Sequence, residues 1–153
     1  MGRKKLPSGL DEHLGYWLRY VSNHVSHAFT LKVEAHGVTV AEWVVMRSLL
    51  ETGPAQPSHL ADELGMTRGA ISKLVERLCQ KGFVERNSGG EDRRRQIVAL
   101  STAGQRLVPT LAQLADENDQ EHFGFLGKRE RLMLVELLQA VVRQHGWKDV
   151  PVN

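Results

Sequence analysis

Residues 58–104 of this chain read SHLADELGMTRGAISKLVERLCQKGFVERNSGGEDRRRQIVALSTAG. Two short apolar patterns with helical spacing lie in this stretch, separated by Gly65, a residue that readily takes the positive φ of a helix end. Ser58 is predicted to cap the first helix and Thr67 the second, which ends at Gly82. The buried stripe of the second helix is predicted to be Ile71, Leu74, Val75 and Leu78. Two helices joined by so short a turn predict a helix-turn-helix.

The second helix also carries a polar face opposite its apolar stripe. This face holds hydroxyl and cationic side chains, which suit the edges of bases and the oxygens of phosphates. We therefore interpret the second helix as a recognition helix for duplex DNA. Its candidate DNA-binding residues are Thr67, Arg68, Gly69, Ser72, Lys73 and Arg77.

A hairpin is predicted to follow the helix-turn-helix. Residues 83–86 and residues 96–100 alternate apolar and polar side chains and are predicted to pair as antiparallel strands around a Gly-rich tip. Long cationic side chains beside such a tip can reach phosphates or a minor groove. The hairpin is therefore interpreted as a wing, and its candidate DNA-binding residues are Asp92, Arg93, Arg94 and Arg95.

Positive charge is concentrated on this module. Between Met66 and Leu100 there are eight Lys or Arg and four Asp or Glu, although the whole chain carries a formal net charge of only +2. Such a concentration produces a surface that attracts a polyanion.

Two strings resemble the multiple antibiotic resistance regulator (MarR) family: MTRGAISKLVERLCQKGFVER at 66–86 and DRRRQIVALSTAG at 92–104. The most specific part is Asp92-x-Arg94 followed by Leu100-Ser101-x-x-Gly104. The resemblance extends over nearly the whole chain, since the long helices predicted before and after the winged module are also the arrangement of that family. It implies that Asp92 braces the wing through arginine contacts and that Arg94 or a neighbour enters the minor groove.

The expected fold class is mainly α with a small β-hairpin wing, a winged helix-turn-helix flanked by long N- and C-terminal dimerisation helices. Residues 1–36 are expected to form a tail and a dimerisation helix that begins near Gly9 and ends near His36. Residues 37–100 are expected to form the DNA-binding domain, and residues 101–153 the C-terminal dimerisation helices, the first of which Ser101 is predicted to cap. A helix capped by Thr39 is expected to pack Trp43, Val44 and Leu50 under the DNA-binding domain, and residues 117–121 are expected to be solvated.

The apolar stripes of the terminal helices exceed what one small chain can bury. A closed two-fold homodimer is the simplest way to cover them. A dyad would also place two recognition helices about 34 Å apart, in successive major grooves, so the DNA site is expected to be an inverted repeat.

A second stripe on the first helix consists of His13, Tyr16, Tyr20, His24 and His27. In the family that the chain resembles, small aromatic or anionic ligands often bind between the dimerisation helices and the winged domain. The residues predicted to bind such an effector are Trp17, Tyr20, His24, Trp43 and Arg47. The alternative is that these residues form the dimer interface and its polar rim.

Several function classes are disfavoured. His24 and His27 have a spacing that allows shared metal coordination, but no cysteine or carboxylate cluster accompanies them, so neither a metal nor a cofactor is expected. No hydrolase, metalloprotease or phosphate-loop motif occurs, so an enzyme is not expected. No apolar run of about 18 residues and no secretion signal is found. No membrane association is therefore expected, and the expected location is the cytoplasm. The single cysteine, Cys79, excludes an intrachain disulfide and is assigned to packing over redox sensing.

These features together predict a sequence-specific, homodimeric transcriptional repressor that binds an inverted-repeat operator and is released by a small aromatic or anionic ligand. Two alternatives stay open. One is a winged-helix protein-interaction module that does not bind DNA, and the other is a transcriptional activator.

Overall fold

The computed structural model describes residues 6–87 and 96–148. Within these ranges the α-helices are α1 (Leu14–Glu34), α2 (Val40–Thr52), α3 (Pro57–Leu64), α4 (Arg68–Gln80), α5 (Thr102–Phe123) and α6 (Lys128–His145). The strands described are β1 (Val84–Asn87) and β2 (Ile97–Leu100), which pair in antiparallel register with Val84 opposite Leu100. The prediction of a mainly α fold with a small β-hairpin is confirmed.

The hydrophobic core lies between α2, α4, β2 and α5. Met46 of α2 and Leu111 of α5 are fully buried there, and the C-terminal end of α1 closes the core with Val33. The segment between α2 and α3 joins the hairpin, because Ala55 and Val98 exchange both backbone hydrogen bonds, at 3.0 and 2.8 Å. The helix-turn-helix is therefore fixed to the hairpin through a common core.

Three predicted helix caps are confirmed. The side chains of Thr39, Thr67 and Ser101 each accept a hydrogen bond from the backbone N–H three residues further on. Such a cap satisfies one of the N–H groups that the first turn of a helix leaves without a partner.

The first cap of the helix-turn-helix was predicted wrongly. Ser58 lies inside α3, whose first residue is Pro57 and whose preceding residue, Gln56, makes no side-chain cap. Proline suits this position because its fixed φ is helical and its missing N–H would have had no intrahelical partner. The proline, and not the serine two positions after Gln56, sets the start of α3.

The N-terminal helix is shorter than predicted. A short 3₁₀ helix at Leu10–Glu12 precedes α1, and His13 between them is extended, with φ −96° and ψ 126°. The indole N–H of Trp17 donates to the carbonyl oxygen of Asp11 at 2.7 Å. This bond ties the 3₁₀ helix to the side of α1.

Two packing expectations need correction. Leu50 is exposed, whereas Trp43 is buried and Val44 is half-buried. Asn118, inside the stretch predicted to be solvated, is 4% exposed. Its amide donates to the carbonyl oxygen of Val25 at 3.2 Å, because α5 packs against α1 at this point.

The apolar faces of α1 and α6 remain largely uncovered. Every side chain of α6 is exposed, including Leu134 and Leu138. These two leucines face the N-terminal half of α1 across a cleft of about 520 Å³ whose lining is almost wholly apolar. The cleft is lined by Leu14, Trp17, Leu18, Val21, Ser22, Val25, Ser26, Phe123, Phe125, Leu126, Leu134 and Leu138.

Over the part of the chain that the structure describes, no helix combines the length and the apolar character that crossing a lipid bilayer demands.

Candidate nucleic-acid interface

The orientation of α4 follows from its apolar stripe. All four residues predicted for this stripe, Ile71, Leu74, Val75 and Leu78, are at most 4% exposed. A left-handed Gly65, with φ 63°, ends α3 and lets the chain turn directly into the cap of α4. Because one face of α4 is held in the core, its other face points to solvent.

The exposed face of α4 carries the polar residues that the sequence singled out. The residues concerned, all exposed, are Thr67, Arg68, Gly69, Ser72, Lys73 and Arg77. A shallow groove along this face is lined by Ser72, Lys73, Glu76, Arg77 and Gln80. Hydroxyl, guanidinium and ammonium donors along one groove can contact base edges and phosphates together.

The cations of this region differ in their partners. Lys81, at the C-terminal end of α4, lies 2.7 Å from Oε2 and 3.0 Å from Oε1 of Glu42, and the Nε of Arg77 lies 3.8 Å from Oε1. Within the described ranges, Arg68 and Lys73 form no ion pair. Arg68 and Lys73 are therefore available to a ligand from solvent.

Glu42 is a residue of this site that the sequence reasoning missed. Its carboxylate is fully buried although it belongs to the first turn of α2. The pattern Thr39-x-x-Glu42 is that of a capping box, in which the glutamate would turn back to the helix start. In the structure the glutamate instead reaches Lys81, 39 residues away, and no local pattern could predict so distant a partner.

A second ion pair connects α4 to the hairpin. Arg86 of β1 donates to Glu76 of α4, which also accepts from the side-chain amide of Gln80. Hydrogen bonds to Cys79 and to Glu76 raise the pKa of Arg86 above its ordinary value. The ion pair of Arg86 with Glu76 thus holds the first strand of the hairpin against α4.

The tip of the wing lies outside the described residues. This applies to Asp92, Arg93, Arg94 and Arg95, whose predicted roles rest on the sequence. The described part of the hairpin is the pair of strands, in which Asn87 at the end of β1 lies opposite Ile97 at the start of β2.

The segment Leu100-Ser101-x-x-Gly104 joins the end of α4 to the start of α5. The hydroxyl of Ser101 donates to the carbonyl oxygen of Gly82 at 2.6 Å and accepts from the N–H of Gly104 at 3.1 Å. A Cβ atom at Gly104 would lie 2.1 Å from the carbonyl oxygen of Phe83. Ser101 and Gly104 are thus needed because the backbone at the start of α5 closely approaches the backbone at Gly82 and Phe83.

The predicted effector residues fall into separate groups. Trp17, Tyr20 and His24 form a series of ring contacts on the exposed face of α1, with centroids 6.3 Å apart for the first pair and 4.9 Å for the second. Trp43 packs edge-on against Phe29 at 6.4 Å in the interior. Arg47 pairs with Glu51 along α2. Of the five, the apolar cleft between α1 and α6 includes Trp17 alone.

Comparisons with known proteins agree with this geometry. A model of the MarR family matches residues 36–95. The transcriptional regulator HosA of Escherichia coli O157:H7 is 22% identical over 116 residues, which are 76% of this chain and 86% of HosA.

Two solved structures are similar in fold and in sequence. A probable transcriptional regulator from Pseudomonas aeruginosa is 29% identical, with a TM-score of 0.74 over 87% of this chain and 99% of the other. A mutant of MarR from Escherichia coli, solved in complex with operator DNA, is 27% identical, with a TM-score of 0.74 over 84% of this chain and 93% of the other. The likeness therefore includes the flanking helices as well as the winged module.

Proposed function

Because the chain belongs to the MarR family of winged helix-turn-helix transcriptional regulators, we propose that it is a homodimeric repressor. In this proposal the dimer binds an inverted-repeat operator and leaves it when a small aromatic or anionic compound binds. Residues 37–100 contact the DNA, and residues 1–36 and 101–153 hold the dimer together.

The observation that carries the proposal is the exposed polar face of α4. Arg68, Ser72 and Lys73 lie on the N-terminal half of a helix whose opposite face is buried, so the donors project together from a fixed support. A recognition helix contacts base edges with its N-terminal residues. A good bidentate contact contributes about 1–3 kcal/mol of discrimination between bases. The operator complex of the similar MarR mutant supports duplex DNA as the ligand.

The uncovered apolar faces support the homodimer. Leu134, Leu138 and Val141 of α6 and Trp17 and Val21 of α1 are each at least 40% exposed. A contiguous apolar surface of this kind marks an interaction site. A second copy, related by a two-fold axis, would cover α1 and α6 of both chains at once and would set the distance between the two recognition helices.

The size of such a complex supports a role in repression. A dimer spanning two adjacent major grooves would cover at least one helical turn of duplex and would exclude other proteins from it. Release from the operator requires a site for the small ligand. The rings of Trp17, Tyr20 and His24 form an aromatic surface on α1 where such a ligand could bind. A ligand that moves α1 would change the separation of the recognition helices.

The test begins with a pool of random-sequence duplexes, from which the purified protein selects its own binding sites. We expect the selected duplexes to contain an inverted repeat. The double variant Arg68→Ala/Arg94→Ala should bind them at least ~100-fold more weakly in a gel-shift assay, since two contacts of about 1–3 kcal/mol are lost per chain. The matched control is Lys128→Ala/Arg129→Ala, which removes the same charge from the start of α6.

Light scattering during gel filtration checks that both double variants keep the oligomeric state of the wild type. If the selected duplexes bind the Arg68→Ala/Arg94→Ala variant as tightly as the wild type, the proposed DNA-binding surface is wrong.

A further inference from the structure

The carboxylate of Glu42 is a buried charge at the edge of the recognition helix. Its side chain is 0% exposed, whereas those of Lys81 and Arg77 are 35% and 53% exposed. A buried carboxylate is stable only when cations or hydrogen-bond donors compensate it. Lys81 supplies this compensation to both oxygens, at 2.7 and 3.0 Å, and Arg77 adds a third contact at 3.8 Å.

Glu42 is itself held in place from two sides. Its backbone N–H donates to the hydroxyl of Thr39 at 3.1 Å, which fixes the first turn of α2. The next residue, Trp43, is buried against Phe29 of α1. The carboxylate therefore belongs to the buried core, whereas Arg77 and Lys81 reach it from the partly exposed side of the recognition helix.

The three cations of α4, together with Lys81 directly after it, fall into two pairs by their position along the helix. Arg68 and Lys73 lie in the N-terminal half, whose residues contact base edges in helix-turn-helix proteins. Arg77 lies nine residues after Arg68, about 13 Å further along the helix axis. Arg77 and Lys81 are the two that contact Glu42.

We propose that Glu42 is a positioning residue for the recognition helix. Arg77 and Lys81 anchor the C-terminal end of α4 to it, and discrimination between base sequences depends on Arg68 and Lys73. This inference rests on the proposed function, since it assigns roles within the DNA-binding surface. It also distinguishes Arg77 from the other cations of α4, which the sequence alone placed in one group.

The experiment measures affinity against salt concentration for two duplexes, the selected inverted repeat and a scrambled duplex of equal length. The variants are Lys73→Gln, Arg77→Gln and Glu42→Gln, each of which keeps a polar side chain. Each phosphate contact contributes about 0.9 to the slope of log affinity against log salt. We expect Lys73→Gln to lower this slope and the ratio of specific to scrambled affinity, and Arg77→Gln to lower both by less while also lowering the midpoint of thermal unfolding.

Glu42→Gln should reduce the ratio of specific to scrambled affinity about tenfold, the loss expected when one base contact is misplaced. It should also steepen the salt dependence on the scrambled duplex, because Arg77 and Lys81 are released to phosphates. Glu42→Asp keeps the negative charge, so its ratio of specific to scrambled affinity should stay close to that of the wild type. A merely structural role for Glu42 would lower stability but would leave the ratio and the slope unchanged.

Two results would overturn the assignment. One is that Arg77→Gln lowers the slope of log affinity against log salt as much as Lys73→Gln does. The other is that Glu42→Gln leaves the ratio of specific to scrambled affinity unchanged. If Glu42→Gln does not fold, Lys81→Gln takes its place, and a salt slope lowered by that variant contradicts the anchoring role. Wild-type protein that binds neither duplex would overturn the proposed function, and with it the role of Glu42.

Discussion

Gly104 lies where α5 comes closest to the backbone that leads into β1. A methyl group there would lie 2.1 Å from the carbonyl oxygen of Phe83 and 3.2 Å from Leu100. The Gly104→Ala variant should therefore lower the free energy of unfolding by about 1–3 kcal/mol, the usual cost of overpacking, as measured by urea denaturation. The matched control is Gly69→Ala in α4, where nothing lies within 4 Å and φ is ordinary.

In the control variant Gly69→Ala the free energy of unfolding should rise by up to ~1 kcal/mol, because alanine favours the helix more than glycine does. Equal effects of Gly104→Ala and Gly69→Ala would contradict the close approach. The sequence already singled out Gly104 as part of a family signature. The reason for the glycine appeared only when the carbonyl of Phe83, 21 positions earlier in the sequence, was placed beside it.

At the scale of elements, the start of α4 depends on the cap at Thr67. Its hydroxyl accepts from the N–H of Ala70 at 3.1 Å. We expect Thr67→Ala to destabilise the protein by about 1 kcal/mol, measured as a lower midpoint in thermal or urea unfolding. Ser72→Ala is the control on the same exposed face, and it should be neutral or slightly stabilising since alanine has the higher helix propensity.

If both variants change stability equally, the cap does not set the start of the recognition helix. The caps at Thr39, Thr67 and Ser101 were predictable because each joins residues only three positions apart. The start of α3 was not, since Pro57 and Ser58 both offered an acceptable first turn and the structure uses the proline.

At the scale of the whole molecule, the exposed apolar face of α6 predicts how the protein assembles. Leu138 is 41% exposed and lines the cleft beside α1. Burial of a leucine contributes about 1.5–3 kcal/mol, and a two-fold interface contains it twice. Leu138→Glu should therefore weaken the dimer at least ~100-fold in sedimentation equilibrium and should weaken operator binding with it.

Gln139→Glu adds the same charge to the polar side of α6 and should leave the dimer intact. A dimer that tolerates Leu138→Glu as well as Gln139→Glu would show that α6 does not form the interface. The sequence indicated that the terminal helices need a partner, but it did not show that the whole of α6 would be exposed.

In the candidate site, too, some placements were predictable from the sequence and others were not. The exposure of all six residues predicted for the polar face of α4 followed from the spacing of its apolar stripe, which settles which residues point outward, whereas Glu76 and Gln80 on the same face were not predicted. The five effector residues were predicted as one group, yet Trp43 is buried against Phe29 while Tyr20 and His24 lie on the exposed face of α1. Periodicity orients a side chain on its own helix, and it does not orient one helix against another.

The sequence by itself determined the order of the helices, the caps of α2, α4 and α5 and the polar face of the recognition helix, because these depend on contacts within about one helical turn. The tertiary structure decided the contacts between distant residues. These are Lys81 with Glu42, 39 positions apart, Ser101 with Gly82, 19 apart, and Asn118 with Val25, 93 apart. Such contacts depend on how whole elements pack, so a buried carboxylate among the cations of α4 could be found only once α2 and α4 were placed together.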